Sequence, residues 1–113
     1  MQEQNIQTYR AFWPFYVSQH RNKTNRNLHF VGTLMVLVFL VFGAVNSPWF
    51  LLGMPLGGYA FAWIGHFVFE RNRPATFRYP FWSLVADFQM FALMCVGRMD
   101  REVRRMGVLT TEF

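Results

Sequence analysis

Cysteine is nearly absent from this chain, since Cys95 stands alone within an apolar run. A lone thiol excludes a disulfide framework and a CxxC metal or redox motif, and its ordinary role is that of a small buried apolar residue. Charge is scarce too, at 15% of residues, and it is confined to four short stretches. Between them, Phe30 to Val45, Trp49 to Phe69 and Pro80 to Gly97 carry one formally charged side chain, Asp87, and one histidine, His66. The sequence also lacks an HExxH pair, a GxSxG elbow, a P-loop and the dinucleotide-binding glycine pattern. No internal repeat, low-complexity segment or linker divides the 113 residues, so a single domain over 1–113 is expected.

What remains is apolar and aromatic, with 53% hydrophobic residues and 19% aromatic ones. A spanning helix needs ~20 mostly apolar residues. The second stretch has that length unaided, the first reaches it if Asn27 to His29 begin the helix, and the third if it runs on toward Met99. Three buried helices of a soluble bundle are the alternative, and a chain this short lacks the polar residues to coat them. The expected fold is therefore all-α: a small polytopic membrane helix bundle with an amphipathic interfacial helix and three membrane-embedded helices. Ile6, Tyr9, Trp13, Tyr16 and Val17 recur at helical spacing, which predicts the interfacial helix over 4–19, kinked at Pro14. A polar loop over 20–27 follows, with Thr24 or Asn25 capping span 1 (28–46). Span 2 (48–70) follows, and then helix 3 over 80–106, which carries a basic tail and could extend into a C-terminal helix of its own. Met1 to Thr8 holds Glu3 and no basic residue, so no cleavable signal is visible and the spans are expected to do the targeting.

The net charge of +5 invites a nucleic-acid partner. None is expected, because the basic residues flank the apolar runs instead of forming a stripe, as an anionic membrane surface requires. Arg10, Arg21, Lys23 and Arg26 precede the first span, the turn at Asn46 to Pro48 has no basic residue, and Arg71, Arg73 and Arg78 follow the second. This pattern puts the N-terminus and the second loop in the cytoplasm. Arg98, Arg101, Arg104 and Arg105 conflict with a third full crossing. Either the rule loses there, or Pro80 to Gly97 enters the membrane without crossing it, as Asp87 favours.

The short turn makes the first two spans an antiparallel hairpin, which returns His66 to the depth of His29. His20 and His29 are nine residues apart and would lie on opposite faces of an unbroken helix at ~100° per residue. They can share a ligand only if the HRNKTNRN segment between them is a loop. His20, His29 and His66 are then expected in one layer near the cytoplasmic interface. Gly58, Ala62, His66 and Glu70, spaced by four, put small residues on the face that carries a histidine and a carboxylate, and Ser83 and Asp87 share a face one turn apart. An ionisable group buried in lipid costs ~2.5 kcal/mol or more, which marks His66 and Asp87 as functional candidates. Three imidazoles with one carboxylate or water suit iron or zinc, and Glu70, Asp87, water or substrate are each candidates for the fourth position. The other reading of Glu70 is an ion pair with a nearby arginine, and that of Asp87 a partner that orients a histidine.

Two segments carry a resemblance. HRNKTNRNLHFVGT (His20 to Thr33), and WIGHFVFERNRPATF (Trp63 to Phe77) with SLVADFQMF (Ser83 to Phe91), resemble the family of small membrane proteins that includes the fungal endoplasmic-reticulum dioxygenase of 2-hydroxy fatty acids. The chain looks like a compact bacterial form, which implies a bacterial inner membrane. The resemblance implies an Fe(II)-dependent enzyme of alpha-oxidation that uses O2 to shorten a 2-hydroxy fatty acid by one carbon, with His20, His29 and His66 as catalytic metal ligands. Arg71 or Arg73 would then fix the substrate carboxylate, and Asn22 and Asn25 would hold the loop or hydrogen-bond the substrate. The expected partners are O2, the hydroxy acid and membrane lipids, with a homodimer as a candidate assembly. The rival readings are a non-enzymatic membrane assembly or scaffold protein and a haem- or zinc-binding membrane protein that uses the same histidines.

Overall fold

The computed structural model describes residues 6–110, all of its regular elements being helical. Helix α1 spans Tyr9–Ser18 and is capped by the Thr8 hydroxyl, which accepts from the Ala11 amide at 3.1 Å. It starts later than the 4–19 expectation, whose first residues, Gln4 and Asn5, lie outside the described residues. Pro14 sits inside α1, and the helix continues through it to Ser18. Its apolar face (Phe12, Trp13, Tyr16 and Val17) is buried.

Helix α2 spans Lys23–Val45, so the expected polar loop shrinks to three residues, His20 to Asn22. Thr24 and Asn25 are not the cap. The Asn22 side chain takes that role, accepting from the Asn25 amide at 3.1 Å, which starts the helix five residues ahead of the expected boundary. Polar residues can occupy that first turn and a half because their groups are bonded inside the protein. The buried Arg26 side chain donates to the His20 and Arg21 carbonyls at 2.9 and 2.7 Å. The second span runs over Pro48–Glu70 as a 3-10 turn (Pro48–Leu52), α3 (Gly53–Ile64) and a π-helical turn (Gly65–Glu70).

Lys23–Val45 and Pro48–Glu70 are each 23 residues long and apolar enough to cross a membrane. At 1.5 Å per residue each is ~35 Å long, enough for a ~30 Å hydrocarbon layer. Their outer surfaces are apolar, with Val38, Val41, Val45, Leu52, Leu56 and Val68 exposed. The two helices approach closely where Gly32 faces Gly57 and Gly58: a β-carbon on Gly32 would lie 3.4 Å from the carbonyl oxygens of both.

The expected continuous helix over 80–106 is broken. Helix α4 spans Pro80–Cys95, α5 spans Met99–Thr110, and the two are bent by 117°. The corner is Gly97, whose φ of 71° lies in the left-handed region that glycine enters freely. Both ends of α4 are tied to the same end of the hairpin. Phe77, just before α4, packs on Trp63 and Phe67, while Phe91 near its end stacks on Phe30 at 4.7 Å. Helix α4 therefore lies across the histidine-bearing end of the spans, and α5 turns back onto α1, where the Trp13 indole donates to Glu102 at 2.6 Å. The buried core sits at this end, built from Phe12, Trp13, Tyr16, Val17, Ala86 and Met90 with Met99 and Met106 of α5. This arrangement removes the conflict over the basic tail, because Arg98, Arg101, Arg104 and Arg105 stay on the side that carries the histidines.

Candidate metal centre

His20, His29 and His66 converge. Each is buried, and each offers a ring nitrogen to a group of three in which the offered atoms lie within 4.8 Å of one another. The rings stand nearly edge to face, with centroids 4.5 to 4.8 Å apart. The convergence has three local causes. The chain breaks for three residues after α1, which frees His20 from the helical phase of His29. The hairpin brings His66 back to the depth of His29. The π-helical turn at Gly65–Glu70 then widens the second span where His66 sits.

The outer nitrogens of all three rings are committed. The Nδ1 of His20 donates to the Tyr16 carbonyl at 2.6 Å, that of His29 to the Asn25 carbonyl at 3.0 Å, and that of His66 to the Asn72 Oδ1 at 2.7 Å. The first two partners are carbonyl oxygens and can only accept. The third is oriented too, because the Asn72 amide nitrogen donates to the Gln19 carbonyl at 3.1 Å. With hydrogen on Nδ1, the neutral rings present bare Nε2 lone pairs inward. His20 Nε2 and His29 Nε2 are 3.3 Å apart. Two lone pairs facing one another repel unless a proton or cation lies between them, and 3.3 Å suits two ligands on one ion at ~2.0–2.1 Å each. Burial, and then the two neighbouring imidazoles, hold His20 well below the ordinary histidine value of 6.5. The ring is therefore neutral at pH 7 and its lone pair is available to a metal.

Neither candidate carboxylate joins this group. The Glu70 carboxylate accepts from the Arg21 amide at 3.1 Å, the Asn22 amide at 2.9 Å and the Asn25 side chain at 3.0 Å. Its work is to hold the three-residue break closed, a role absent from the sequence reading. Asp87 accepts the Tyr16 hydroxyl at 2.5 Å, and Tyr16 in turn stacks on His20 with centroids 4.0 Å apart. Asn22 and Asn25 are occupied as cap and loop anchor, and neither lines the cavity described next.

A cavity of about 260 Å³ opens from the histidines between the spans and α4. Thr33, Val36, Met54 and Gly58 line it from the two spans, and Ser83, Leu84, Asp87 and Phe88 from α4. Gly58, Ala62 and His66 share this cavity as their spacing predicts, as do Ser83 and Asp87. Arg71 and Arg73 do not line it. Arg71 is exposed at the left-handed end of the π-helical turn, and the Arg73 guanidinium lies over the Phe77 ring, 5.6 Å from its centroid.

Four site residues were missed by sequence reasoning: Tyr16 as the plate under His20, Asn72 as the partner of His66, Arg26 as the clamp on the His20 carbonyl, and Gly65. A β-carbon on Gly65 would overlap the buried Asn25 Oδ1, which has no hydrogen-bond partner of its own. Only the Asn72 pairing left a trace, an amide side chain inside the FERNRPA block. Its six-residue offset from His66 matches no α-helical face.

No curated protein and no solved structure matches the chain. Residues 6–99 match the family model described as 2-hydroxy-palmitic acid dioxygenase Mpo1-like, a span that takes in all three histidines, Asn72, Ser83 and Asp87, and the chain belongs to that family.

Proposed function

We propose that this protein is an Fe(II)-dependent dioxygenase that cleaves the C1–C2 bond of a 2-hydroxy fatty acid, giving the acid one carbon shorter. The observation that carries this reading is the bare pair of Nε2 atoms of His20 and His29, 3.3 Å apart in a buried site with every Nδ1 hydrogen committed. Such a site is incomplete without a cation. Three neutral imidazoles with remaining coordination positions suit a divalent transition metal that does chemistry. His20, His29 and His66 would hold iron, which supplies the electron transfer that allows O2 to react with a closed-shell acid.

The overall reaction balances without another cofactor. A 2-hydroxy acid plus O2 yields the shortened acid, carbon dioxide and water, and the four electrons released by the acid are those needed to reduce O2 fully to water. A flavin, nicotinamide or keto-acid cosubstrate is unnecessary. The chain's own residues provide position and exclusion. The Tyr16, Asn25 and Asn72 oxygens fix the ring tautomers. The apolar cavity walls take the acyl chain, and burial at the histidines keeps water from the reacting carbon. The basic residues clustered at the histidine-bearing end support a reading in which that end faces the cytoplasm from a bacterial inner membrane.

The test is elemental analysis and optical spectra of anaerobically purified protein, followed by oxygen uptake with a long-chain 2-hydroxy acid. Stoichiometric iron with no haem band and substrate-dependent uptake are expected. A haem band, or zinc alone in protein supplied with iron under reducing conditions, would overturn the reading in favour of a binding protein.

A further inference from the structure

The cavity that reaches the histidines contains no lysine or arginine among its lining residues. A ligand carboxylate there has no side-chain counter-charge, so its charge must be met at the three-histidine group. The atoms of the ligand next to the carboxylate then face the polar groups of the wall, which include the hydroxyls of Thr33, Tyr59, Thr76 and Ser83. The Tyr16 hydroxyl is spent on Asp87, and all three Nδ1 hydrogens are spent on carbonyl oxygens. Ser83 is different. It is 3% exposed, it lines the cavity, and its Oγ has no hydrogen-bond partner. A buried hydroxyl without a partner is uncommon and calls for one.

Asp87 lies one helical turn along the same face of α4 and also lines the cavity. The Tyr16 hydroxyl occupies its Oδ1, and a carboxyl group has a second oxygen that accepts. Tyr16 links Asp87 to the histidines, because its ring stacks on His20 while its hydroxyl reaches Asp87. Asp87 is therefore joined to His20 through a single residue, Tyr16. A methylene at this position would leave Ser83 unpaired. A hydroxyl group satisfies both side chains, donating to one and accepting from the other.

We propose that Ser83 and Asp87 form a subsite that recognises the 2-hydroxyl group of the substrate, and that this pair decides between a 2-hydroxy acid and the plain acid of the same length. The assignment rests on the reading under Proposed function, since it takes the carboxylate to lie at a metal held by the histidines. It replaces Arg71 and Arg73 as the source of head-group selectivity.

The experiment uses the full chain in detergent, loaded with zinc so that binding is measured without turnover. A fluorescent polyene fatty acid is displaced by 2-hydroxypalmitic acid or by palmitic acid, and the ratio of the two affinities is the readout. Wild type should prefer the hydroxy acid by roughly tenfold or more, the scale of one or two hydrogen bonds in a buried site. Ser83→Ala and Asp87→Asn should each lower that ratio severalfold while zinc content and palmitic acid affinity stay as in wild type. Ser83→Thr, which retains the hydroxyl, should keep the preference. A ratio unchanged in both Ser83→Ala and Asp87→Asn overturns the subsite alone. Failure of wild type to take up zinc overturns the metal reading, and the subsite with it.

Discussion

Asn72 accepts the Nδ1 hydrogen of His66 at 2.7 Å while its own amide donates to the Gln19 carbonyl at 3.1 Å, so one side chain joins the second span to the end of α1. The inward-facing nitrogen of His66 and the position of His20 are therefore set by the same residue. Asn72→Leu is expected to lower metal affinity by roughly 10- to 100-fold, the usual effect of losing a partner that orients a ligand. Asn72→Asp, which keeps the acceptor and loses the bond to Gln19, is expected to lose less. Competition against a chelator of known affinity measures both.

His29 projects from the second turn of α2, which its neighbours form whether or not a metal is bound. His29→Ala is expected to retain helix content by circular dichroism and to lose stoichiometric metal and oxygen uptake together. Wild type should also melt higher with metal than without. Ligand at ~100 times its dissociation constant stabilises by ~2.7 kcal/mol, and the variant should show no such rise in Tm. A variant that still gains the full shift would remove His29 from the ligand set.

Gly65 touches Asn25 so closely that no side chain fits between them. Gly65→Ala is expected to destabilise by about 1–3 kcal/mol, as overpacking of a buried contact does, and to weaken metal loading because Asn25 also supplies the His29 acceptor. Adding Asn25→Ala to the same chain removes the clash, so the double variant should be less destabilised than the sum of the single changes. Thermal unfolding in detergent of the four proteins of the cycle tests this.

Arg26 is buried and joins three parts of the chain, donating to the carbonyls of His20 and Arg21 and to Asp100 of α5 at 2.9 Å. Asp100 is half exposed, so the ion pair itself contributes little; the two carbonyls carry the effect. Arg26→Met should cost about 1–3 kcal/mol for polar groups left unpaired, and Asp100→Asn much less. Hydrogen exchange should rise over His20 to Asn22 and over Met99–Met106 in the first variant.

The helical class, the two long spans and the antiparallel hairpin were legible in the sequence, because an apolar run of spanning length and a three-residue turn leave little choice of path. So was the convergence of His20, His29 and His66, since the hairpin equates the depths of two of them and the polar segment allows the third to turn in. Helix α2 starts five residues ahead of the boundary that hydropathy predicts. Polar composition predicts a loop there, whereas the Asn22 cap, the Arg26 clamp and the Glu70 carboxylate satisfy its groups as a helix. Glu70 itself was read as a ligand candidate or ion-pair partner, and it serves as acceptor for the amides of the break. That role depends on a residue 49 positions from Arg21, which no local pattern reveals.

Helix 3 shows the same division. Its composition left two courses open, a full crossing or a partial entry, and the basic tail counted against the first. Tertiary packing breaks the helix and favours the second, through the left-handed Gly97 corner, the Phe30–Phe91 stack and the seat of α5 on α1. By itself the sequence determined which groups exist and at what depth the histidines lie, since period and length act along one chain. It did not determine which nitrogen of each ring faces inward, which carboxylates are already engaged, or that Ser83 is left unpaired beside Asp87. Those depend on hydrogen bonds between segments far apart in the chain, and such bonds exist only once α1, the hairpin and α4 have closed on one another.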